Sequence, residues 1–304
     1  MSRKALDWRC LRDVQRLAFG DAALVVDQTN RARGFAPREH VRERAAQLAG
    51  ADDGHLLHRC DIVMAMQSLR GKAALVTGGS RGIGLAIARA LVADGVKVGI
   101  TGRSAAHLSS ARPSIEGAGP GAVETIQADV RRYGEVQRAV EAVVARFGGL
   151  DIVVNNAGVG IFADVASMTP EQFAEVIETN LTGVFNVCHA ALPHLRGRGG
   201  AFIINISSLA GKNAFANGAA YCASKSGLNA FSEALMQEVR YDDVRVSYVM
   251  PGSVATGFSS GDAAKGADWK IAPEEVAEVV VNLLRHDSRS LPSRVELRPS
   301  KPKK

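Results

Sequence analysis

Tyr221-Cys222-Ala223-Ser224-Lys225 places a phenol and an ammonium at i and i+4, one turn apart on one helix face. A phenol titrates near ~10 and is a poor base at neutral pH. A neighbouring ammonium favours the phenolate, so a tyrosine so placed can exchange a proton with an alcohol or carbonyl oxygen. Alone, Tyr-x-x-x-Lys is common and marks a solvated helix face. Its weight comes from Ile206-Ser207-Ser208, which closes an apolar strand upstream and offers a hydroxyl to a substrate oxygen. Asn180, a mediocre helix former inside a helical pattern, is a further polar candidate.

A second constellation binds rather than reacts. After the run Ala73–Thr77 comes Thr77-Gly78-Gly79-Ser80-Arg81-Gly82-Ile83-Gly84, leading into a helical pattern. Glycines at this spacing permit a tight turn and a close approach of backbone to a pyrophosphate, and the helix N-terminus adds free N–H groups and a positive dipole end. The second strand runs into Gly102-Arg103-Ser104 with no acid in reach to take ribose hydroxyls. Arg103 and Arg81 are forked cations suited to a 2′-phosphate, so NADP(H) is the expected cofactor. Asn155-Asn156-Ala157-Gly158 closes another strand, and Pro251-Gly252 is followed by Ser253, Val254 and Thr256, a loop able to cover a nicotinamide.

These residues need a scaffold that brings strand ends together. From Leu69 onward, strand-like runs (73–77, 96–101, 122–128, 152–155, 201–207, 244–250 and 293–297) alternate with helical patterns near 82–94, 134–147, 170–195, 218–240 and 273–286. That alternation predicts an α/β, Rossmann-type, doubly wound and mainly parallel seven-stranded sheet with helices on both faces. Thr169, Pro170 and Gln172 are start signals for the helix at 170–195. Pro113, Gly117, Gly119 and Pro120 argue against a helix over 104–121. Residues 1–63 differ in texture: Arg-rich, with two short helices expected around 9–19 and 38–49 and no strand for the sheet. The text from Met66 favours translation starting at Met64 or Met66 over a docked N-terminal extension, and the domain proper is read as 64–304.

The ordered set TGGSRGIG, NNAG, Asn180, Ser208, Tyr221/Lys225 and PGSVAT resembles the short-chain dehydrogenase/reductase family over about residues 66–298. The resemblance implies Tyr221 as general acid/base, with Lys225 lowering its pKa and binding the nicotinamide ribose. It implies Ser208 (thirteen residues before the tyrosine, hence preferred to Ser207) as the group that polarises the substrate oxygen. Asn180 would hold a water in a proton relay through Lys225. Asp129-Val130 matches the family's adenine-contacting pair, and Asn156, Ala157 and Gly158 its central cofactor contacts. The expected activity is that of an NADP(H)-dependent carbonyl reductase, similar to 3-oxoacyl-carrier-protein reductases, acting on a 3-oxoacyl thioester or a small ketone. The chain lacks the Asp-Gly-Gly ending of many such reductases, which bears on the acyl-carrier substrate and the tetramer contacts rather than on the reaction. The segment between Thr256 and Pro273 is short and polar and reads as a mobile loop closing over a modest substrate. An NAD-dependent alcohol dehydrogenase and a non-catalytic NADP(H)-binding sensor are the alternatives.

Composition fits these expectations. The 304 residues are 46% apolar and 22% charged, enough for a sizeable core. The net charge of +6 is spread along the chain, densest at Lys301, Lys303 and Lys304, and no motif calls for nucleic acid. Cys10, Cys60, Cys188 and Cys222 lack metal-ligand or CxxC spacing and read as free thiols of a reducing compartment. Cys222 is expected to line the pocket beside Tyr221, and His189 and His194 to serve packing or the surface, with no metal site. No apolar run reaches membrane-spanning length. The expected setting is cytoplasmic, as a homodimer or homotetramer paired through the helices at 170–195 and 218–240.

Overall fold

Alternating burial along the strands decides the architecture. In the run Ala74-Leu75-Val76, Ala74 and Val76 enter one apolar cluster and Leu75 the other, as the period of two in an extended chain requires. Both faces are therefore apolar, and both must be covered by helices. The computed structural model describes residues 18–19, 22–26, 32–37, 67–258 and 268–302, and the chain divides into two units, Met1–Ala65 and Met66–Lys304.

In the first unit, β1 (Ala18–Phe19), β2 (Ala22–Val26) and β3 (Ala32–Pro37) form an antiparallel sheet of their own. The end of the helix expected at 9–19 is thus a strand. The apolar, β-branched run Leu24-Val25-Val26 favours an extended chain over a helix nearby. The remainder of that helix, and the one expected at 38–49, lie outside the described residues.

In the second unit, β4 (Ala73–Thr77), β5 (Lys97–Gly102), β6 (Val123–Gln127), β7 (Ile152–Asn155), β8 (Ala201–Ile206), β9 (Val244–Pro251) and β10 (Arg294–Leu297) form one parallel sheet in the order β10-β9-β8-β7-β4-β5-β6. The chain winds outward from β4 in one direction through β6 and then returns to β7 beside β4. That reversal is the topological switch point, where a parallel sheet opens a crevice beyond its carboxyl ends. Helices α1 (Gly82–Ala93), α2 (Ala105–Glu116), α3 (Tyr133–Phe147), α4 (Pro170–Ile177), α5 (Gly183–Leu195), α6 (Ala219–Val239) and α7 (Pro273–Arg285) cover the faces. Ile87 and Leu91 of α1 and Val280 and Leu284 of α7 sit on one face; Val140 of α3, Leu195 of α5 and Leu228 of α6 sit on the other.

Two helices depart from the sequence reading. Helix α2 forms despite Pro113: Ser104 caps it by accepting the His107 N–H, and Leu108, Ala111 and Ile115 bury one stripe against the sheet. Proline inside a helix costs about 3 kcal/mol, whereas burying Leu and Ile each returns about 1.5–3 kcal/mol, so packing wins. The expected single helix at 170–195 is instead α4, a π-helical turn at Glu178–Thr182, and α5. Its start is as read, with Thr169 and Gln172 forming a reciprocal capping box. Among the described residues no helix is long and apolar enough to cross a membrane.

Candidate active site

The carboxyl ends of β4, β5, β7, β8 and β9 open into one cleft of about 1380 Å³. Its walls include Gly78, Ser80, Arg81, Gly82, Ile83, Arg103, Asp129, Val130, Asn156, Ala157, Gly158, Ser208, Tyr221, Lys225, Val254 and Thr256. Of the residues singled out by sequence, Gly84 and Asn180 lie behind the wall rather than on it, and so does Cys222. One position after Tyr221 on a helix is a rotation of about 100°, which turns the thiol into the packing; Cys222 is buried without touching the cleft.

The glycine turn is held in place by the segment after β7. Asn156 donates from Nδ2 to the carbonyls of Thr77 (3.0 Å) and Gly78 (3.2 Å), while Thr77 Oγ1 accepts from the N–H groups of Asn156 and Ala157, both at 3.0 Å. Gly84 is where this interlock demands a bare Cα: a Cβ there would lie 2.3 Å from the Gly78 carbonyl oxygen and 2.4 Å from Asn156 Nδ2. Gly78 adopts φ +64° and Gly82 φ +54°, which disfavour any side chain. Helix α1 starts behind them with no side-chain cap and no acid in its first turn. Its N–H groups and dipole are thus left for an anion, and the cradle fits a dinucleotide pyrophosphate.

At the far edge, Arg103 is not without an acid. Its guanidinium lies 3.6 Å from Glu175 of α4, and both side chains are substantially exposed. Reading the strand end alone missed this partner, because it arrives from a helix some seventy residues on. Arg81 makes no ion pair among the described residues. Asp129 is tied up by Arg131, whose hydrogen bonds hold the carboxyl below its usual range, and its N–H donates to Glu135. Its side chain thus shapes the wall as one half of an ion pair.

Around Tyr221 the two serines part. Both line the cleft, but Ser207 Oγ is committed to Asn229 Oδ1 (2.5 Å), whereas Ser208 is the hydroxyl that draws the Tyr221 phenol down. Lys225 is buried, donates to the Ile206 carbonyl (2.9 Å), and sits 5.8 Å from the Tyr221 ring centre. Burial brings its ammonium down to about 8. Burial also lifts the Tyr221 phenol above its ordinary value, with the Ser208 hydrogen bond opposing. Burial of the phenol, not the neighbouring ammonium, is thus the largest influence on Tyr221, against the depression expected from Lys225.

Asn180 sits at the centre of the π turn, fully buried. Its Oδ1 accepts the Val159 N–H (2.8 Å), and its Nδ2 donates to the Val159 carbonyl (2.9 Å) and to Ser224 Oγ (3.0 Å). Ser224 Oγ in turn donates to the Tyr221 carbonyl. The carboxamide is engaged by protein partners at both its oxygen and its nitrogen. It braces the segment after β7 against the helix that carries Tyr221. Single π turns of this kind recur at functional sites.

Sequence reasoning missed Ser224, Glu175 and an aromatic wall of Phe162, Phe215, Phe258 and Trp269. Ser224 was readable in principle, lying three residues from Tyr221 on the same face. The phenylalanines come from three separate loops, and no local pattern joins them. The loop after β9 is fastened at Val254 by Ile271, whose N–H donates to the Ser253 carbonyl (3.0 Å) and whose carbonyl accepts the Ala255 N–H (2.8 Å). Residues 259–267, the centre of the expected closing loop, lie outside the described residues. His189 Nδ1 lies 2.9 Å from the Tyr133 hydroxyl on the surface.

Known proteins resemble this chain in sequence and fold. The family model described as short chain dehydrogenase matches residues 72–265. An uncharacterised oxidoreductase of Staphylococcus saprophyticus is 34% identical over 77% of this chain and all of its own length. A 3-oxoacyl-[acyl-carrier-protein] reductase of Chlamydia muridarum is 34% identical over 75% of this chain and 95% of its own. The crystal structure of a metagenomic short-chain oxidoreductase in complex with NADP superposes with a TM-score of 0.68 at 38% identity, covering 78% of this chain and 100% of that one. A seven-stranded parallel sheet, a glycine cradle at its switch point and a Tyr221/Lys225 pair at the cleft thus belong to an oxidoreductase of the short-chain dehydrogenase/reductase family.

Proposed function

We propose that the chain is an NADP(H)-dependent carbonyl reductase, with Ser208, Tyr221 and Lys225 as its catalytic residues and Asn180 as a positioning residue. The observation that carries this reading is Ser208 and Tyr221 lining the same cleft, with the buried Lys225 ammonium 5.8 Å from the Tyr221 ring centre. The cofactor would supply the hydride, which adds to the carbonyl carbon. As the C=O electron pair moves onto oxygen, that oxygen takes the Tyr221 proton. Ser208 donates to the same oxygen and holds it against the phenol. The Lys225 charge then stabilises the tyrosinate left behind.

Gly78, Ser80, Arg81, Gly82 and Ile83 would hold the pyrophosphate and its surroundings, with Gly84 keeping the turn tight. Asp129 and Val130 would flank the adenine, Asn156, Ala157 and Gly158 the centre of the cofactor, and Val254 and Thr256 the nicotinamide. Arg81 and Arg103 support NADP(H) over NAD(H). An exposed ion pair such as Arg103–Glu175 is worth only about 0–1 kcal/mol, and a 2′-phosphate gives the guanidinium a stronger acceptor. NADP in the metagenomic relative supports the same choice. Glu175 favours one second reading, an NAD-dependent alcohol dehydrogenase, because a carboxylate at that edge suits ribose hydroxyls.

Steady-state consumption of NADPH and NADH in parallel, against an acetoacetyl thioester, a quinone and an aromatic ketone, tests the proposal. Turnover favouring NADPH supports it. Faster turnover with NADH transfers the assignment to the second reading.

A further inference from the structure

Phe162, Phe215 and Phe258 stand round the Tyr221 ring and leave 39%, 49% and 45% of their surface open in the free chain. Phe162 meets Tyr221 edge-on with ring centres 5.6 Å apart and planes at 67°, and Phe258 meets it at 5.8 Å and 55°. Phe215 extends the row, 5.9 Å from Phe162. All three line the cleft.

The backbone is cut to seat these rings. A Cβ on Gly160 would lie 2.7 Å from Phe258 and 2.8 Å from Phe162, and a Cβ on Gly218 would lie 2.6 Å from Phe215. Two glycines thus let three large rings settle beside the phenol. Phe215 is carried by a loop that ends in Asn217 with φ +63°, a left-handed turn just before α6. Of the cations at this end of the cleft, Arg298 is bound to Glu296 at 2.7 Å, Lys225 is buried on a carbonyl, and Lys270 lies over the Trp269 ring. The surface offered beside the proton donor is therefore chiefly aromatic edge and face, which rewards flat apolar groups.

Resting on the carbonyl-reductase reading, we infer that the substrate is a ketone bearing an aromatic substituent, its ring stacked among Phe162, Phe215 and Phe258 while its oxygen meets Tyr221 and Ser208. The short polar lid expected from sequence suggested only a modest substrate. The aromatic wall points to a bulky, uncharged one.

The test compares acetophenone, cyclohexyl methyl ketone, butanone and acetoacetate in wild type and in Phe162→Ala, Phe215→Ala and Phe258→Ala, with Phe→Leu variants preserving bulk. Acetophenone is expected to have the highest kcat/KM. The alanine variants should lower the acetophenone-to-butanone ratio by about tenfold or more, with NADPH affinity unchanged as the check on folding. Calorimetric binding of acetophenone separates this inference from the reading beneath it. Tight binding that the alanine variants weaken, without turnover, would uphold the aromatic site and sink the reductase. A ratio unmoved by every variant, a preference for acetoacetate, or acetophenone binding no tighter than acetoacetate would overturn the inference.

Discussion

Asn180 and Val159 are bonded in both directions: the carboxamide oxygen takes the Val159 N–H and the carboxamide nitrogen gives to the Val159 carbonyl. The pairing mimics one rung of a β-ladder, made by a side chain inside a π turn. Removing it in Asn180→Ala orphans two main-chain groups at the edge of the cleft. The expected loss is about 2–3 kcal/mol of stability together with a fall in kcat, read by thermal unfolding and steady-state kinetics. Unchanged stability would show that the brace is dispensable.

Lys225 should behave as a charge held at a cost to folding. Its native pKa of about 8 lies below the ordinary 10.5, so the unfolded chain binds the extra proton between those values. Stability from this group is therefore lowest below pH 8 and rises as pH climbs through that window. The raised Tyr221 phenol opposes the trend only above its ordinary value of 10.0. Lys225→Met should flatten the rise between pH 8 and 10 without lowering the Tm at pH 7, while cutting kcat about 100-fold or more. Denaturant melts across pH, with activity alongside, check both parts.

Cofactor choice turns on Arg103 and its partner. Arg103→Ala should weaken NADPH about tenfold or more while sparing NADH, the worth of one charge-assisted contact. Glu175→Gln should leave NADPH binding equal or tighter, because the guanidinium loses its competing carboxylate. Fluorescence titration of both cofactors decides; if Glu175→Gln weakened NADH most, the carboxylate would be a ribose ligand.

Glycines divide by what surrounds them. Gly84→Ala drives a methyl into the Gly78 carbonyl and Asn156, at an expected 1–3 kcal/mol or about that, with loss of cofactor affinity. Gly134, in the first turn of α3, faces only the tip of Arg138 at 3.6 Å. Gly134→Ala should leave the protein as stable or more so, by up to about 1 kcal/mol. Thermal melts of the pair distinguish a functional glycine from an incidental one.

What was legible in the sequence was what repeats locally. Strand-to-helix rhythm delivered all seven strands of the sheet: the inner strands are largely apolar and buried, and the more polar edge strands β6 and β10 stand where the rhythm requires them. The Thr169 capping box announced α4 for the same reason: its two hydrogen bonds span three residues. Helix α2 was obscured because Pro113 is a strong local signal, while the Leu108 and Ile115 contacts that override it are tertiary. The π turn at Asn180 has no periodic signature, since one extra residue hides inside an uninterrupted helical pattern. Glu175 and the three phenylalanines were invisible for a further reason. Their relation to Arg103 and Tyr221 exists only once distant loops meet at the sheet's carboxyl edge.

The central claim is that Tyr221 gives its proton to a carbonyl oxygen. NADPH consumption with an aromatic ketone, in wild type and in Tyr221→Phe, tests it most directly when NADPH affinity is measured on both. Turnover that falls by about 100-fold or more in Tyr221→Phe, with NADPH affinity retained, is the predicted result. Turnover preserved in Tyr221→Phe would contradict the account and place the proton donor elsewhere in the cleft.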